Sequence, residues 1–176
     1  MCRLIVLIAL AGCSKPSLRE ELKAATRSAA RGDTNAYLRH FVSPEQIGSL
    51  VDCSGAIFPH LSPETRRTEL EGVRRSLDAI MSARITFDDI FEYGPPEAHR
   101  AGEELSGCRV RRTFTVQGYS VTAKLRFPTV TIRANVAPDR ANVAPVDREE
   151  TTTNRVDVWR FDGGTHLWTD PFEHFQ

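Results

Sequence analysis

The first half of the chain carries apolar residues at the spacing of amphipathic helices. The first predicted helix begins at Ser17, whose spacing to Glu20 is that of a capping box, and it ends at Gly32. Its apolar face comprises Leu18, Leu22, Ala25 and Ala29. A short second helix is predicted to begin at Asp33 or Thr34, because both residue types are good N-caps.

Two more helices are predicted from serine–proline pairs, since proline is favoured at the first helical position. Ser43-Pro44 starts a short helix, and Ser62-Pro63 starts a longer one. The apolar face of the longer helix comprises Leu70, Val73, Leu77, Ile80 and Met81. Its arginines are Arg66, Arg67, Arg74 and Arg75. We interpret these arginines as a solvated helix face, with an anion-binding patch as the alternative.

From residue 84 onwards the apolar period changes to two, which is typical of strands. A strand is predicted over 84–93, with an irregularity at Asp88-Asp89-Ile90. The segment Gly94-Pro95-Pro96 is predicted to end this strand, and a polar loop is expected to follow it.

Two hairpins are predicted after that loop. The first joins 108–117 to 119–127 through a turn at Gly118. The second joins 155–161 to 166–169 through a turn at Asp162-Gly163-Gly164. Helices followed by strands are the order of an α+β fold, with N-terminal helices packed on an antiparallel sheet.

The extreme N-terminus has the pattern of a secretory signal. Arg3 precedes an apolar run that begins at Leu4, and Ala11-Gly12-Cys13 ends it. A membrane-spanning helix is the alternative, but the nine residues from Leu4 to Gly12 fall short of the roughly 20 that span a bilayer. The cysteine directly after Ala-Gly resembles the lipobox of bacterial lipoproteins. The resemblance implies cleavage before Cys13 and acylation of that cysteine.

The same resemblance implies a division of the chain and a location. Residues 1–12 would be the signal peptide, 13–16 the lipidated tether and 17–176 a single α+β domain. Ser14 resembles an outer-membrane sorting signal. The expected location is therefore the bacterial cell envelope, lipid-anchored at the outer membrane and facing the periplasm. The membrane is the expected partner through Cys13, with an envelope protein or a small apolar ligand as open possibilities.

The charge balance bears on the class of partner. The chain has 23 basic and 23 acidic residues, and removal of the segment that contains Arg3 leaves 22 basic and 23 acidic. A nucleic-acid-binding domain needs a basic surface, so a near-neutral chain disfavours nucleic acid as the partner.

The four cysteines divide by position. Cys2 would leave with the signal peptide and Cys13 would carry lipid, which leaves Cys53 and Cys108. An even pair in an oxidising compartment favours a Cys53–Cys108 disulfide. A reactive thiol, half of a metal site, or two buried free thiols are the alternatives. Neither cysteine lies in a Cys-x-x-Cys motif.

Two further segments resemble the nuclear transport factor two superfamily, which includes ketosteroid isomerase. They are the helix ending Ala29-Ala30-Arg31-Gly32-Asp33, followed by Ala36, Tyr37, Leu38 and Phe41, and the aromatic hairpin over 158–168. The resemblance implies N-terminal helices packed on a curved, cone-like antiparallel sheet. It also implies a pocket between the helices and the sheet, sometimes with an Asp or His dyad for proton transfer.

Candidate residues for proton transfer are few and lack a motif. They are Asp52, His60, Asp88, Asp89, Tyr119 and His166. A proton-transfer site needs a buried acid or base within reach of the substrate, and each of these residues also suits a surface or capping role. A C-terminal group has metal-capable side chains without a zinc-site spacing: His166, Asp170, Glu173 and His174. No metal and no cofactor is therefore predicted, and the catalytic residues stay unknown.

Two hypotheses for function follow. The first is a non-enzymatic lipoprotein, a binding or scaffold module tethered at the cell envelope. The second is an isomerase- or hydratase-like enzyme with a small pocket, which rests on fold analogy alone. An apolar cavity with two convergent ionisable groups would favour the enzyme, whereas a core filled by its own aromatic side chains would contradict it.

Overall fold

Helices dominate the first half of the chain and the long strands follow them, as the sequence predicts. The computed structural model describes residues 17–53, 61–81, 83–128, 148–162 and 164–172. The helices within these ranges are α1 (Leu18–Ala30), α2 (Thr34–Leu38), α3 (Pro44–Leu50) and α4 (Pro63–Ile80). The strands are β1 (Val51–Asp52), β2 (Arg84–His99), β3 (Glu104–Leu105), β4 (Cys108–Val110), β5 (Phe114–Phe127), β6 (Arg148–Phe161) and β7 (Gly164–Leu167). The strands form two antiparallel sheets, ordered β2-β5-β6-β7 and β1-β4-β3, so the α+β class is confirmed.

The predicted helix starts are confirmed by their hydrogen bonds. The Ser17 hydroxyl accepts from the N–H of Glu20, and the Glu20 carboxylate accepts from the N–H of Ser17 in return. Gly32, with φ of +74°, follows the end of α1 in the left-handed conformation that glycine adopts easily. Asp33 is the N-cap of α2, which decides between the two residues that the sequence left open. Ser43 and Ser62 cap α3 and α4.

The main hydrophobic cluster lies between the helices and one face of the four-stranded sheet. Its helical members include Leu22, Ala25, Tyr37, Val73 and Leu77, and its strand members include Phe87, Val121, Leu125, Val156 and Val158. These strand residues share one face because side chains of alternate residues point to the same side of a strand. Burial of this face attaches α1, α2 and α4 to the sheet.

A second cluster covers the opposite face at one end of the same sheet. Phe114, Trp159 and Phe161 pack there with residues of α3 and of the small β1-β4-β3 sheet. A disulfide between Cys53 and Cys108, with an S–S distance of 2.04 Å, lies in this part of the molecule. It connects the chain after β1 to β4.

The predicted turn at Gly118 is wrong. β5 runs without interruption through this residue, which is paired with Tyr93 of β2 and Asp157 of β6. The apolar phase changes there because Phe114 packs in the second cluster and Val121 in the main cluster, on opposite faces of one strand. A strand buried on a different face at each end produces the same sequence pattern as two strands joined by a turn.

The predicted end of the first long strand at Gly94-Pro95-Pro96 is also wrong. β2 continues to His99, with a register shift between Tyr93 and Glu97. β2 lies at the edge of its sheet, where proline is tolerated because no ladder hydrogen bond is lost on the outer side. The irregularity predicted at Asp88-Asp89-Ile90 is confirmed as a register shift between Phe87 and Ile90.

The C-terminal hairpin is confirmed by the pairing of Phe161 with Gly164 and of Trp159 with His166. Its second strand is Gly164–Leu167, so the predicted bounds of 166–169 are wrong, and Gly164 belongs to the strand and not to the turn. Residues 1–16 lie outside the described part of the chain, so Cys13 and the signal peptide stay predictions. His60, Glu173 and His174 also lie outside it. Among the described residues, no helix is both long and apolar enough to cross a bilayer.

Candidate functional site

A cleft of about 590 Å³ lies between the first turn of α1 and the sheet face that the helices cover. Small-molecule sites in proteins commonly enclose about 300–1,000 Å³. The apolar side chains of this cleft are Leu18 from α1, Ile90 from β2 and Val158 from β6. Its polar side chains include Glu21, Glu92, Tyr119 and Arg160. We call it the α1 cleft.

Strand register and one arginine position the walls of the α1 cleft. Glu92 and Tyr119 are direct partners across β2 and β5. The guanidinium of Arg19 donates hydrogen bonds from α1 to the carbonyl oxygens of Phe87 and Asp88, the second at 2.8 Å. Those carbonyls lie at the irregularity of β2, where the ladder is interrupted. The start of α1 is therefore fastened to the edge strand.

Tyr119 and Arg160 form the polar centre of the α1 cleft. The guanidinium of Arg160 donates to the Tyr119 hydroxyl oxygen at 3.1 Å. Because that oxygen accepts this bond, the hydroxyl hydrogen of Tyr119 is left to donate to another group. A guanidinium has five N–H donors. The bond to Tyr119 is the only hydrogen bond that the Arg160 side chain makes to the part of the chain that the structure describes. Donors from two residues are therefore available to a ligand oxygen.

Glu21 adds an ionisable group to the same cleft from α1. Burial of its half-buried carboxyl raises the pKa of Glu21, and the positive charge of Arg160 opposes that effect to a smaller extent. Burial disfavours the charged carboxylate, so the protonated form persists to higher pH than it does for an exposed glutamate. Glu21 can therefore donate a hydrogen bond when protonated or accept a proton when ionised.

Sequence reasoning identified Tyr119 but missed Glu21 and Arg160. One signal for Arg160 was present, because it has the same parity in β6 as the buried Val156 and Val158. That parity places it on the sheet face that the helices cover. No comparable signal marks Glu21, whose place in the cleft depends on how α1 lies against the sheet.

The other predicted proton-transfer residues are not brought together with Tyr119. Asp52 is exposed and forms an ion pair with Arg111 at 2.7 Å. Asp88 pairs with Lys124, and Asp89 is exposed at the irregularity of β2. Exposed ion pairs of this kind stabilise by about 0–1 kcal/mol. These aspartates are surface residues, as the alternative interpretation expected.

The interpretation of the α4 arginines as a solvated face is wrong for Arg66. Its side chain is only 2% exposed and donates to the carbonyl oxygens of Val42 at 2.8 Å and Leu167 at 3.4 Å. It also pairs with Glu69 at 3.0 Å, and its guanidinium lies 4.4 Å from the ring centre of Trp168. The other three arginines of the set are exposed. Arg66 is therefore a structural residue that connects α4 to the segment before α3 and to the end of β7.

Asp170 belongs to a buried hydrogen-bond network. It is 4% exposed and accepts from the Tyr37 hydroxyl at 3.1 Å, the Ser76 hydroxyl at 2.9 Å and the N–H of Phe172 at 3.0 Å. Burial and the nearby Asp170 carboxylate raise the pKa of Tyr37. This network joins α2, α4 and the segment after β7.

The described residues include no group of three potential metal ligands.

The side chain of His166 lies beside Gln46 of α3. The Gln46 side-chain oxygen accepts from the N–H of Ser43 at 2.7 Å, so the Gln46 amide nitrogen, 3.3 Å from His166 Nε2, is the donor. The proton of neutral His166 is then on Nδ1, which is buried without a partner among the described residues. Burial lowers the pKa of His166, and so does the nearby His40.

We expect the protein to lose stability as the pH falls below about 6.5, the ordinary value for histidine. Burial lowers the pKa of both His40 and His166 in the folded state. The unfolded chain therefore binds protons first as the pH falls, and stability that is present above pH 6.5 is lost below it. Urea unfolding at a series of pH values measures this loss. His166→Gln should give a shallower dependence on pH, and a dependence as steep as that of the parent chain contradicts the assignment.

Comparison of the chain with protein-family models, with curated proteins and with solved structures found no match.

Proposed function

We propose that the chain is a lipid-anchored binding module of the bacterial cell envelope. Cys13 tethers it to the outer membrane on the periplasmic side, and its ligand occupies the α1 cleft. Three features support this proposal: the lipobox-like N-terminus, a disulfide of the kind found in oxidising compartments, and the cleft itself.

The observation that carries the binding proposal is the convergence of donors in the α1 cleft. Tyr119 and Arg160 present O–H and N–H groups to the same space. Leu18, Ile90 and Val158 provide apolar contact. The ligand is therefore a small organic molecule with a carboxylate or carbonyl oxygen at one end and an apolar body.

Within the α+β class, we propose that the helices and the sheet have the cone-like arrangement of the nuclear transport factor two superfamily. The strand order β2-β5-β6-β7 and the burial of α1, α2 and α4 residues against one sheet face support it. A cleft between the first helix and the sheet also agrees with the pocket that this resemblance implies.

The binding proposal predicts that Arg160→Gln weakens binding of 8-anilinonaphthalene-1-sulfonate, an apolar probe with an anionic group. The loss should be about tenfold or more, because a hydrogen bond to a charged group contributes about 1.5–3 kcal/mol. Fluorescence titration measures it. Arg74→Gln, at an exposed arginine of α4, is the matched control and should leave the affinity unchanged. Equal affinity in both variants contradicts the proposal.

A second candidate function rests on the raised pKa of Glu21 beside Tyr119 and Arg160. Two ionisable groups and a hydroxyl in one cleft suit an isomerase-like reaction. Glu21 would take a proton from the carbon next to a carbonyl and return it, while Tyr119 and Arg160 donate to the enolate oxygen. Deuterium uptake by cyclohexanone in heavy water, followed by NMR, tests this function. Uptake that Glu21→Gln abolishes supports it, and no uptake above the rate without protein contradicts it.

A further inference from the structure

The exposed large apolar side chains of the described residues lie together on β2. Phe91 is 63% exposed and Tyr93 is 65% exposed. They alternate with Ile90 and Glu92, which line the α1 cleft from the other face of the same strand. The edge strand therefore has an apolar aromatic pair on its outer face and one wall of the cleft on its inner face.

The predicted tether, residues 13–16, ends at the start of α1, next to β2. Four residue steps separate Cys13 from Ser17, which allows a span of at most about 14 Å at 3.3–3.6 Å per residue. Ser17, Leu18 and Arg19 all line the α1 cleft, and Arg19 is bonded to the backbone of β2 at Phe87 and Asp88. An acyl chain on Cys13 therefore holds this end of the cleft within about 14 Å of the bilayer surface.

We infer that the edge of β2 from Ile90 to Tyr93, together with the start of α1, rests against the bilayer, so that the α1 cleft opens toward the membrane. This inference rests on the anchor in the proposed function. Aromatic side chains are favoured at the membrane–water interface because one end is apolar and the other tolerates water. The ligand would then be an amphiphile that reaches the cleft from the lipid surface.

The charges of this edge indicate the kind of lipid. Asp89 and Glu92 are exposed acidic residues, and the charge of Asp88 is balanced by Lys124. The guanidinium of Arg155 lies 5.2 Å from the ring centre of Tyr93. Arg155 is paired with Asp157. Asp89 and Glu92 offset the charge of Arg19. The edge therefore has no net positive charge that would attract an anionic surface, so insertion of the aromatic pair makes the contact. Zwitterionic phosphatidylcholine vesicles are therefore the appropriate probe.

The test uses the lipidated full chain in phosphatidylcholine vesicles, with or without bromine on the acyl chains. Phe91→Trp places an indole at the proposed contact. Arg100→Trp is the matched control, because Arg100 is exposed and lies about 20 Å further along the sheet. The β5 partners of Phe91 and His99 are six residues apart, at about 3.3 Å per residue. The parent chain gives the contribution of Trp159 and Trp168. The emission of the introduced tryptophan is the difference between the variant and the parent chain. Bromine should lower this emission about twofold in Phe91→Trp, because interfacial side chains lie about 5–10 Å deep, and should leave it unchanged in Arg100→Trp.

The results that would overturn this inference differ from those that would refute the proposed function. Equal quenching in both variants, or none in either, overturns the inference when the protein floats with the vesicles. Failure to float means that the anchor itself is absent. Loss of the Arg160 dependence of probe binding refutes the ligand site and leaves the quenching result unaffected.

Discussion

Replacing Asp170 by alanine is expected to lower the free energy of unfolding by about 2–5 kcal/mol. The carboxylate is buried and accepts hydrogen bonds from the Tyr37 and Ser76 hydroxyls and from the N–H of Phe172. Alanine leaves the Tyr37 hydroxyl and the N–H of Phe172 without that acceptor. The Ser76 hydroxyl keeps an acceptor, because the carbonyl oxygen of Val73 also lies 2.9 Å away. A buried donor that loses its partner costs about 1–3 kcal/mol, so two such losses have a large effect even where they add incompletely.

Urea unfolding of Asp170→Ala and the parent chain measures this effect. Asp52→Ala is the matched control, because Asp52 is exposed and its ion pair with Arg111 is worth about 0–1 kcal/mol. Tyr37→Phe removes one donor of the network and should have an intermediate effect. A loss in Asp170→Ala no larger than that in the control would show that the network does not stabilise the fold.

Removal of the disulfide is expected to cost about 4 kcal/mol in the chain-entropy description of a loop this long. Cys53 and Cys108 are separated by 55 residues, and the bond connects the chain after β1 to the small sheet. The double variant Cys53→Ala with Cys108→Ala avoids a buried hydroxyl at the buried Cys108. Reductant should lower the free energy of unfolding of the parent chain by the same amount as the double substitution does. It should not change the free energy of unfolding of the variant.

A thiol count provides the independent control for the disulfide. Denatured without reductant, the protein should show no titratable thiol at Cys53 or Cys108. Two thiols at these positions would exclude the bond, and a stability unchanged by reductant would exclude its contribution.

Local interactions explain why the helices could be predicted. Ser17, Ser43 and Ser62 each cap a helix through bonds to residues within three positions. Such bonds depend on neighbouring residues in the sequence alone. The C-terminal hairpin is local in the same sense, and its existence was predicted correctly, although its second strand begins at Gly164 and not at His166.

Non-local packing explains the errors. Gly118 resembled a turn because the second cluster buries Phe114 on one face of β5 and the main cluster buries Val121 on the other. Arg66 resembled its exposed neighbours because its acceptors, the carbonyls of Val42 and Leu167, are distant in the sequence. The polar centre of the α1 cleft depends on contacts between α1 and the sheet, so its residues had no shared sequence motif.

The proposed anchor at Cys13 connects the proposed location of this protein, the orientation of its cleft and the source of its ligand. Intact mass and membrane fractionation of the mature chain test it most directly. We expect a chain that begins at Cys13 and carries acyl groups, and we expect Cys13→Ala to move the protein out of the membrane fraction. An unmodified chain that retains residues 1–12, or an unchanged fractionation of Cys13→Ala, would contradict the anchored binding module.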